Sequence, residues 1–298
     1  MRKTILSAAL ILGVVVSMQT TAQTLEKIKN RNEVTLGVRD GSVPFSYLND
    51  EQVAIGYSVD VCLKIVDAIR TEQKLPHLKV SMVPVNASTQ IPLIANSTVD
   101  LVCGVMTNNA ERQKVVSYSP TTFVTSNSLL AKKSSNIKSI DDLKGKAVVS
   151  TAGSASIRIL NELNKERNLG MTILSSRDQP EAFLTLESGR AAAYVLDDVI
   201  LATQRALSKS PNDYYLSSEP LSFDPYGIVF KKDDPVFKAT VDRAVIGIMK
   251  SGELEKLYTK WFQSPIPPKG VNLNIPMSAA LKKAIATPTD SPDPNAYK

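Results

Sequence analysis

Thr107 and Arg112 sit close together in the stretch DLVCGVMTNNAER, residues 100–112. Leu101, Val102 and Cys103 close an apolar run of the buried-strand type, and Gly104 permits a sharp exit. Asn108-Asn109 then reads as a helix start with acidic Glu111 in the first turn. A corner of this kind places a hydroxyl, free backbone N–H groups and a guanidinium at one helix N-terminus. Together these form a receptor for a carboxylate: the N–H groups donate, the helix dipole favours an anion, and the guanidinium pairs bidentately. The plainer reading leaves Arg112 as a solvated charge at a strand–turn–helix corner.

Three further positions share that placement. Arg39, Thr107 and Asp197 each fall just past the carboxyl end of an expected strand, where open α/β sheets bind ligands. Thr151 opens a turn running through Ser154 into a helix, a second nest of N–H groups suited to an anion. Arg112 for a carboxylate and Asp197 for an ammonium would hold the two ends of a zwitterion from opposite halves of the molecule. Each residue also has a plain structural role open to it: Asp197 as a helix N-cap, Thr151 as a cap, Arg39 as a surface ion-pair partner.

The elements that must position these groups alternate along the chain. Residues 34–38 form a short β-type run, and residues 57–71 form a helix with Val61, Ile65, Val66 and Ile69 on one face. A strand over 79–85 and a short helix near 92–96 lead back to the 100–112 stretch. Strand and helix alternating in this way predict an α/β lobe with a mostly parallel sheet. A second such pattern follows: strands at 147–150, 171–174 and 191–196, with helices between them. A helix over 236–250 and a segment over 252–262 complete the chain. Extended stretches at 125–131 and 224–230 suggest that the second lobe is inserted into the first. The expected division is therefore lobe 1 over 23–125 and 226–283, lobe 2 over 126–225, and a flexible proline-rich tail over 284–298.

The first residues, MRKTILSAALILGVVVSMQTTAQ, combine two cations, an apolar stretch too short to span a bilayer and small residues ending in Ala22. That is the pattern of a secretory signal peptide over 1–22, cleaved after about Ala22. Removing Arg2 and Lys3 takes the formal net charge from +6 to +4. The remaining surplus is scattered, which argues against nucleic acid as a partner. With a single histidine, His77, neither a zinc cluster nor a Ser-His-Asp triad is available, so no metal or cofactor is expected. Export to an oxidising compartment allows a disulfide, and Cys62 and Cys103 are the only cysteines. Two buried thiols are the other reading.

GVMTNNAER, with GYSVDVCLKIVDAI before it and PYGIVFKKDDP and PIPPKGVNLN after it, resembles the periplasmic amino-acid-binding proteins of ABC importers, solute-binding protein family 3. Within them it is most similar to the glutamate/aspartate-binding branch, over a span from Thr24 to about Lys283. The resemblance implies a two-lobed type II periplasmic binding fold, with two hinge strands and the ligand between the lobes. It implies an amino acid as small-molecule ligand, an inner-membrane ABC permease as partner, a monomer in the periplasm, and no enzymatic activity. It assigns Thr107 and Arg112 to the α-carboxylate, with Thr151 and Ser154 contributing from across the cleft. It assigns Asp197 to the ammonium and Arg39 to the ligand side chain, and it pairs Cys62 with Cys103. At four matched positions the chain departs from the branch. Gln90 replaces a second side-chain-binding arginine, Gln179 a histidine, and Ala87 and Val105 serines. An amide-lined, more apolar side-chain pocket suits a neutral polar amino acid as well as or better than an acidic one. The rival from another class is a dehydratase on the same fold, which would need a general acid poised over a leaving hydroxyl.

Overall fold

The computed structural model describes residues 23–298; the signal-peptide segment lies outside them. The chain enters through α1 (Gln23–Arg31) and β1 (Glu33–Val38). A small antiparallel sheet follows, made of β2 (Gly41–Ser42), β3 (Ser46–Leu48) and β4 (Ala54–Ile55). Then come α2 (Tyr57–Glu72), β5 (Lys79–Pro84), α3 (Gln90–Ala95), β6 (Leu101–Cys103), α4 (Ala110–Gln113) and β7 (Val116–Tyr118). The face of α2 expected to be apolar is fully covered, with Val61, Cys62, Ile65, Val66 and Ile69 all 0% exposed. Cys62 on α2 is bonded through sulfur to Cys103 at the end of β6. This ties the helix to the strand that feeds the Thr107–Arg112 corner.

The long strand β8 (Phe123–Lys132) carries the chain into the second lobe. There β9 (Ala147–Thr151), α5 (Ala155–Glu166), β10 (Thr172–Ser176), α6 (Gln179–Glu187), β11 (Ala193–Asp197), α7 (Asp198–Leu207) and β12 (Tyr214–Leu216) follow in turn. The return runs through β13 (Ser222–Tyr226) to β14 (Val229–Lys231), α8 (Pro235–Lys250), α9 (Glu253–Phe262) and α10 (Ala279–Ala286).

Two sheets organise these elements. The first has the order β5-β1-β6-β14-β7, and the second the order β10-β9-β11-β8-β12 with β13 paired to β8. Strands built by strand–helix–strand units run parallel: β1 with β5 and β6, and β9 with β10 and β11. Strands that arrive through the crossovers run antiparallel, β14 against β6 and β7, and β8 against β11, β12 and β13. The sheets are therefore mixed. Parallel neighbours need a helical crossover, whereas a strand returning from the other lobe pairs in the opposite sense. The crossovers lie side by side, with Phe123 opposite Tyr226 and Asn127 opposite Ser222. Beneath them Phe123 packs on Phe45 (ring centroids 4.9 Å apart) and Phe262 (5.0 Å), each at most 4% exposed.

The segment 284–298, read from the sequence as a flexible tail, lies packed against the body of the protein. Residues 279–286 are helical, and Tyr297 is only 2% exposed. Its hydroxyl lies 2.8 Å from Thr121 Oγ1 and donates to the Ser291 carbonyl at 2.7 Å. Burying an aromatic ring gains about 1.5–3 kcal/mol. Pro288, Pro292 and Pro294 also lessen the entropy lost on ordering, so a segment that reads as a polar linker docks.

Candidate functional site

The carboxyl ends of β1, β6, β9 and β11 face one another across a cleft between the lobes. About 330 Å³ of that cleft is free of protein atoms, part of it open to solvent. Arg39, Gln90, Thr107 and Arg112 line it from lobe 1, beside Ala87 and Val105. Thr151, Ser154, Gln179 and Asp197 line it from lobe 2, beside Ala155 and Leu196. All eight residues singled out from the sequence thus meet in one place.

Lobe 1 supplies the cationic side. Asn109 caps α4 by accepting from the Arg112 N–H at 2.9 Å, and that cap aims the Arg112 side chain back across its own loop. The guanidinium donates to the Thr107 carbonyl at 3.0 Å and, across the cleft, to the Gly153 carbonyl at 3.0 Å. The Tyr118 hydroxyl donates to the same Thr107 carbonyl at 2.9 Å, fixing the loop from behind. Arg112 is therefore no solvated corner charge. Arg39 is 3% exposed, without an ion-pair partner among the described residues, and burial draws its pKa below the ordinary value. Its stem crosses Gly104, where a Cβ would come within 2.9 Å of Arg39 Cγ, so glycine is what admits the arginine.

Lobe 2 supplies a carboxyl group and a second N–H nest. Ser154 caps α5, accepting from the Ile157 N–H at 3.3 Å, and Thr151 Oγ1 lies 3.3 Å from the Tyr194 hydroxyl. Gly153 between them has φ 75°, and a Cβ there would meet the Ala87 carbonyl at 2.8 Å. Only glycine lets the lobes approach this closely. Asp197 stands at the N-cap position of α7 without using its side chain as a cap, so its carboxylate is left to face the cleft.

Behind Asp197 lies a network that sequence reasoning missed. Asn127 on β8 donates to Asp197 at 3.4 Å and to Asp224 on β13 at 2.6 Å, and Ser222 also donates to Asp224. Burial, reinforced by the Asp224 charge, pushes the Asp197 carboxyl up to about 8. Burial raises Asp224 as well, partly countered by Ser222 and Asn127. The available signal was a lone aspartate before Pro225 in an otherwise apolar extended run.

Three of the lining side chains keep polar atoms buried without a hydrogen-bond partner among the described residues: Arg39 Nε, Gln90 Oε1 and Gln179 Oε1. Gln90 is 1% and Gln179 3% exposed. Buried polar groups of this kind are ordinarily satisfied, so they mark where a polar ligand group belongs. The cleft can hold a carboxylate at Arg112, a cation at Asp197 and an uncharged hydrogen-bonding group among Arg39, Gln90 and Gln179.

Two α/β lobes on paired crossover strands, closed over a cleft with a guanidinium on one side and a carboxyl on the other, are the architecture of a type II periplasmic binding protein. Residues 34–264 match the bacterial extracellular solute-binding proteins, family 3, and the chain belongs to that family. It is 50% identical over 288 residues to the L-glutamate/L-aspartate-binding protein of Pseudomonas aeruginosa, covering 96% of this chain and 95% of that one. It is 43% identical over 267 residues to the glutamate/aspartate import solute-binding protein of Escherichia coli K12, covering 90% and 88%. Among solved structures, a mutant of the arginine-binding protein ArgBP from T. maritima superposes with a TM-score of 0.71 at 27% identity, covering 80% of this chain and 99% of that one.

Proposed function

We propose that this chain captures a polar L-amino acid between its lobes and delivers it to an inner-membrane ABC importer. It works as a periplasmic monomer after removal of residues 1–22. The observation that carries this reading is the pairing of Arg112 on lobe 1 with Asp197 on lobe 2 across one cleft. A zwitterion bridges the two only when the lobes meet, which couples binding to closure. The relatives that bind glutamate and aspartate support the amino-acid class. The uncharged Gln90 and Gln179 favour a neutral polar side chain, such as an amide, over a second carboxylate. A catalytic role finds little support: the sole histidine, His77, is not among the cleft residues, and Asp197 is committed to the ammonium.

A thermal-shift screen of the common amino acids tests this. A ligand at a thousand times its Kd adds about 4 kcal/mol of stability and raises the midpoint. Polar amino acids are expected to do so, whereas their decarboxylated amines are not. No shift with any amino acid would refute the reading.

Ligand capture is also expected to release a proton. With the Asp197 carboxyl raised to about 8, it is mostly protonated in the ligand-free closed cleft at pH 7. An ammonium alongside favours the carboxylate and lowers that pKa. Affinity should therefore rise with pH below about 8, and calorimetric enthalpies at pH 7 should differ between phosphate and Tris in proportion to buffer ionisation. Identical enthalpies in the two buffers would show that Asp197 is already ionised before binding.

A further inference from the structure

The C-terminal segment 287–298 leaves α10 and passes behind the loop that carries Thr107 and Arg112. One carbonyl, that of Asp290, accepts from Asn108 Nδ2 at 2.9 Å and from Gln113 Nε2 at 2.8 Å. Those two residues bracket the loop, Asn108 directly after Thr107 and Gln113 directly after Arg112. Gln113 also donates to Asn108 Oδ1 at 2.9 Å, so the three groups close a ring of hydrogen bonds across the loop's base. Asn108 is 1% exposed, and its backbone N–H donates to the Pro225 carbonyl on β13 at 2.7 Å.

The segment is itself anchored at several points. The Thr289 carbonyl accepts from the Thr121 N–H at 2.9 Å, just before the first crossover strand. The Asp290 carboxylate pairs with Lys238 at 2.8 Å, and the Lys238 ammonium also donates to the Tyr118 carbonyl at 3.2 Å. Tyr297 seals the end in its buried pocket, and Lys298 Nζ lies 5.8 Å from the ring of Phe223 on the second crossover strand. The segment therefore touches the approach to the first crossover strand at Thr121, the second crossover strand and the base of the clamp loop, without lining the cleft.

We propose that residues 287–298 act as a strap that positions the carboxylate clamp. Asp290, Asn108 and Gln113 are its positioning residues, and ligand affinity depends on them although none touches the ligand. The side-chain amides of buried Asn108 and half-buried Gln113 share one tail carbonyl as acceptor. Removing that carbonyl leaves Asn108 Nδ2 without its acceptor and Gln113 with Asn108 Oδ1 alone, which frees the loop to move. Preorganised donors bind more tightly than donors that must be ordered on binding. The inference rests on reading Thr107 and Arg112 as the α-carboxylate site.

The test compares the full chain with a chain ending at Ala286, titrated calorimetrically with L-glutamate and L-glutamine. The shortened chain is expected to bind both at least roughly tenfold more weakly, with the ratio between them unchanged, because the defect lies at the end the two ligands share. A synthetic peptide of residues 287–298 added in trans should restore much of the affinity. Should the shortened chain fail to fold, Gln113→Leu in the full chain takes its place, with a several-fold loss expected for both ligands. A folded shortened chain, or the Gln113→Leu chain, that binds both within about twofold of the full chain would overturn the strap. A lower melting temperature with unchanged Kd would overturn it equally, because that is what a stabiliser of the fold alone would give. Hydrogen exchange of the amides of residues 107–113 supplies a ligand-independent readout. Faster exchange there, with residues 147–151 unchanged, is expected on shortening even if no amino acid binds the full chain. In that event the reading of the cleft fails while the strap stands.

Discussion

Arg112→Ala should abolish measurable binding of every amino acid the protein takes. The substitution leaves a carboxylate in a closed cleft without its charge partner, a loss of order 3–5 kcal/mol, or about two to three and a half orders of magnitude in Kd. It also deletes the bond from the Arg112 guanidinium to the Gly153 carbonyl, one of the contacts that join the lobes at the cleft. Arg112→Lys should weaken binding too, since an ammonium cannot reproduce the planar fork. The ligand-free fold should be little affected, because Arg112 is only half-buried and its bonds are to backbone carbonyls near the surface. Calorimetric titration checks this, and an Arg112→Ala chain binding within a few-fold of the native one would remove the clamp from the account.

Gln90→Arg should shift the protein towards acidic ligands. Gln90 is 1% exposed at the first position of α3, beside Ala87 and facing the same cleft as Arg39. An arginine there would give a side-chain carboxylate a charge-assisted bond worth about 1.5–3 kcal/mol, or about ten- to 150-fold in glutamate affinity. The same guanidinium is buried without a partner when no acid is bound, which carries a desolvation cost. The ligand-free melting temperature should therefore fall, and glutamate should restore it. Binding of glutamine, which offers no charge, should weaken. If glutamate and glutamine affinities both stay where they were, Gln90 does not contact the ligand side chain.

Much of this site was legible because its residues sit where topology puts ligands. Arg39, Thr107 and Asp197 each follow a strand whose apolar run is plain in the sequence, and a parallel α/β core brings such ends together. The 57–71 helix became Tyr57–Glu72, since its apolar spacing leaves one face to bury. The plain reading of Asp197 as a capping side chain was not what the fold used, although the residue does stand at the N-cap position. What stayed hidden depends on contacts distant in sequence. Asp224 reads as part of a crossover strand, and only the pairing of β13 with β8 sets it beside Asn127 and behind Asp197. The tail reads as a linker because its prolines and polar residues carry no period. Its order comes from one tyrosine ring and from Asp290 meeting Asn108 and Gln113, at separations of more than 170 residues.

The most direct test of the account is calorimetric titration of the native protein with L-glutamine, L-asparagine, L-glutamate and L-aspartate in one buffer. An uncharged side-chain subsite made by Arg39, Gln90 and Gln179 predicts that at least one amide binds as tightly as, or more tightly than, its corresponding acid. Tight glutamate binding beside undetectable glutamine binding would contradict that claim, and would mean that Arg39 alone holds a side-chain carboxylate in this cleft.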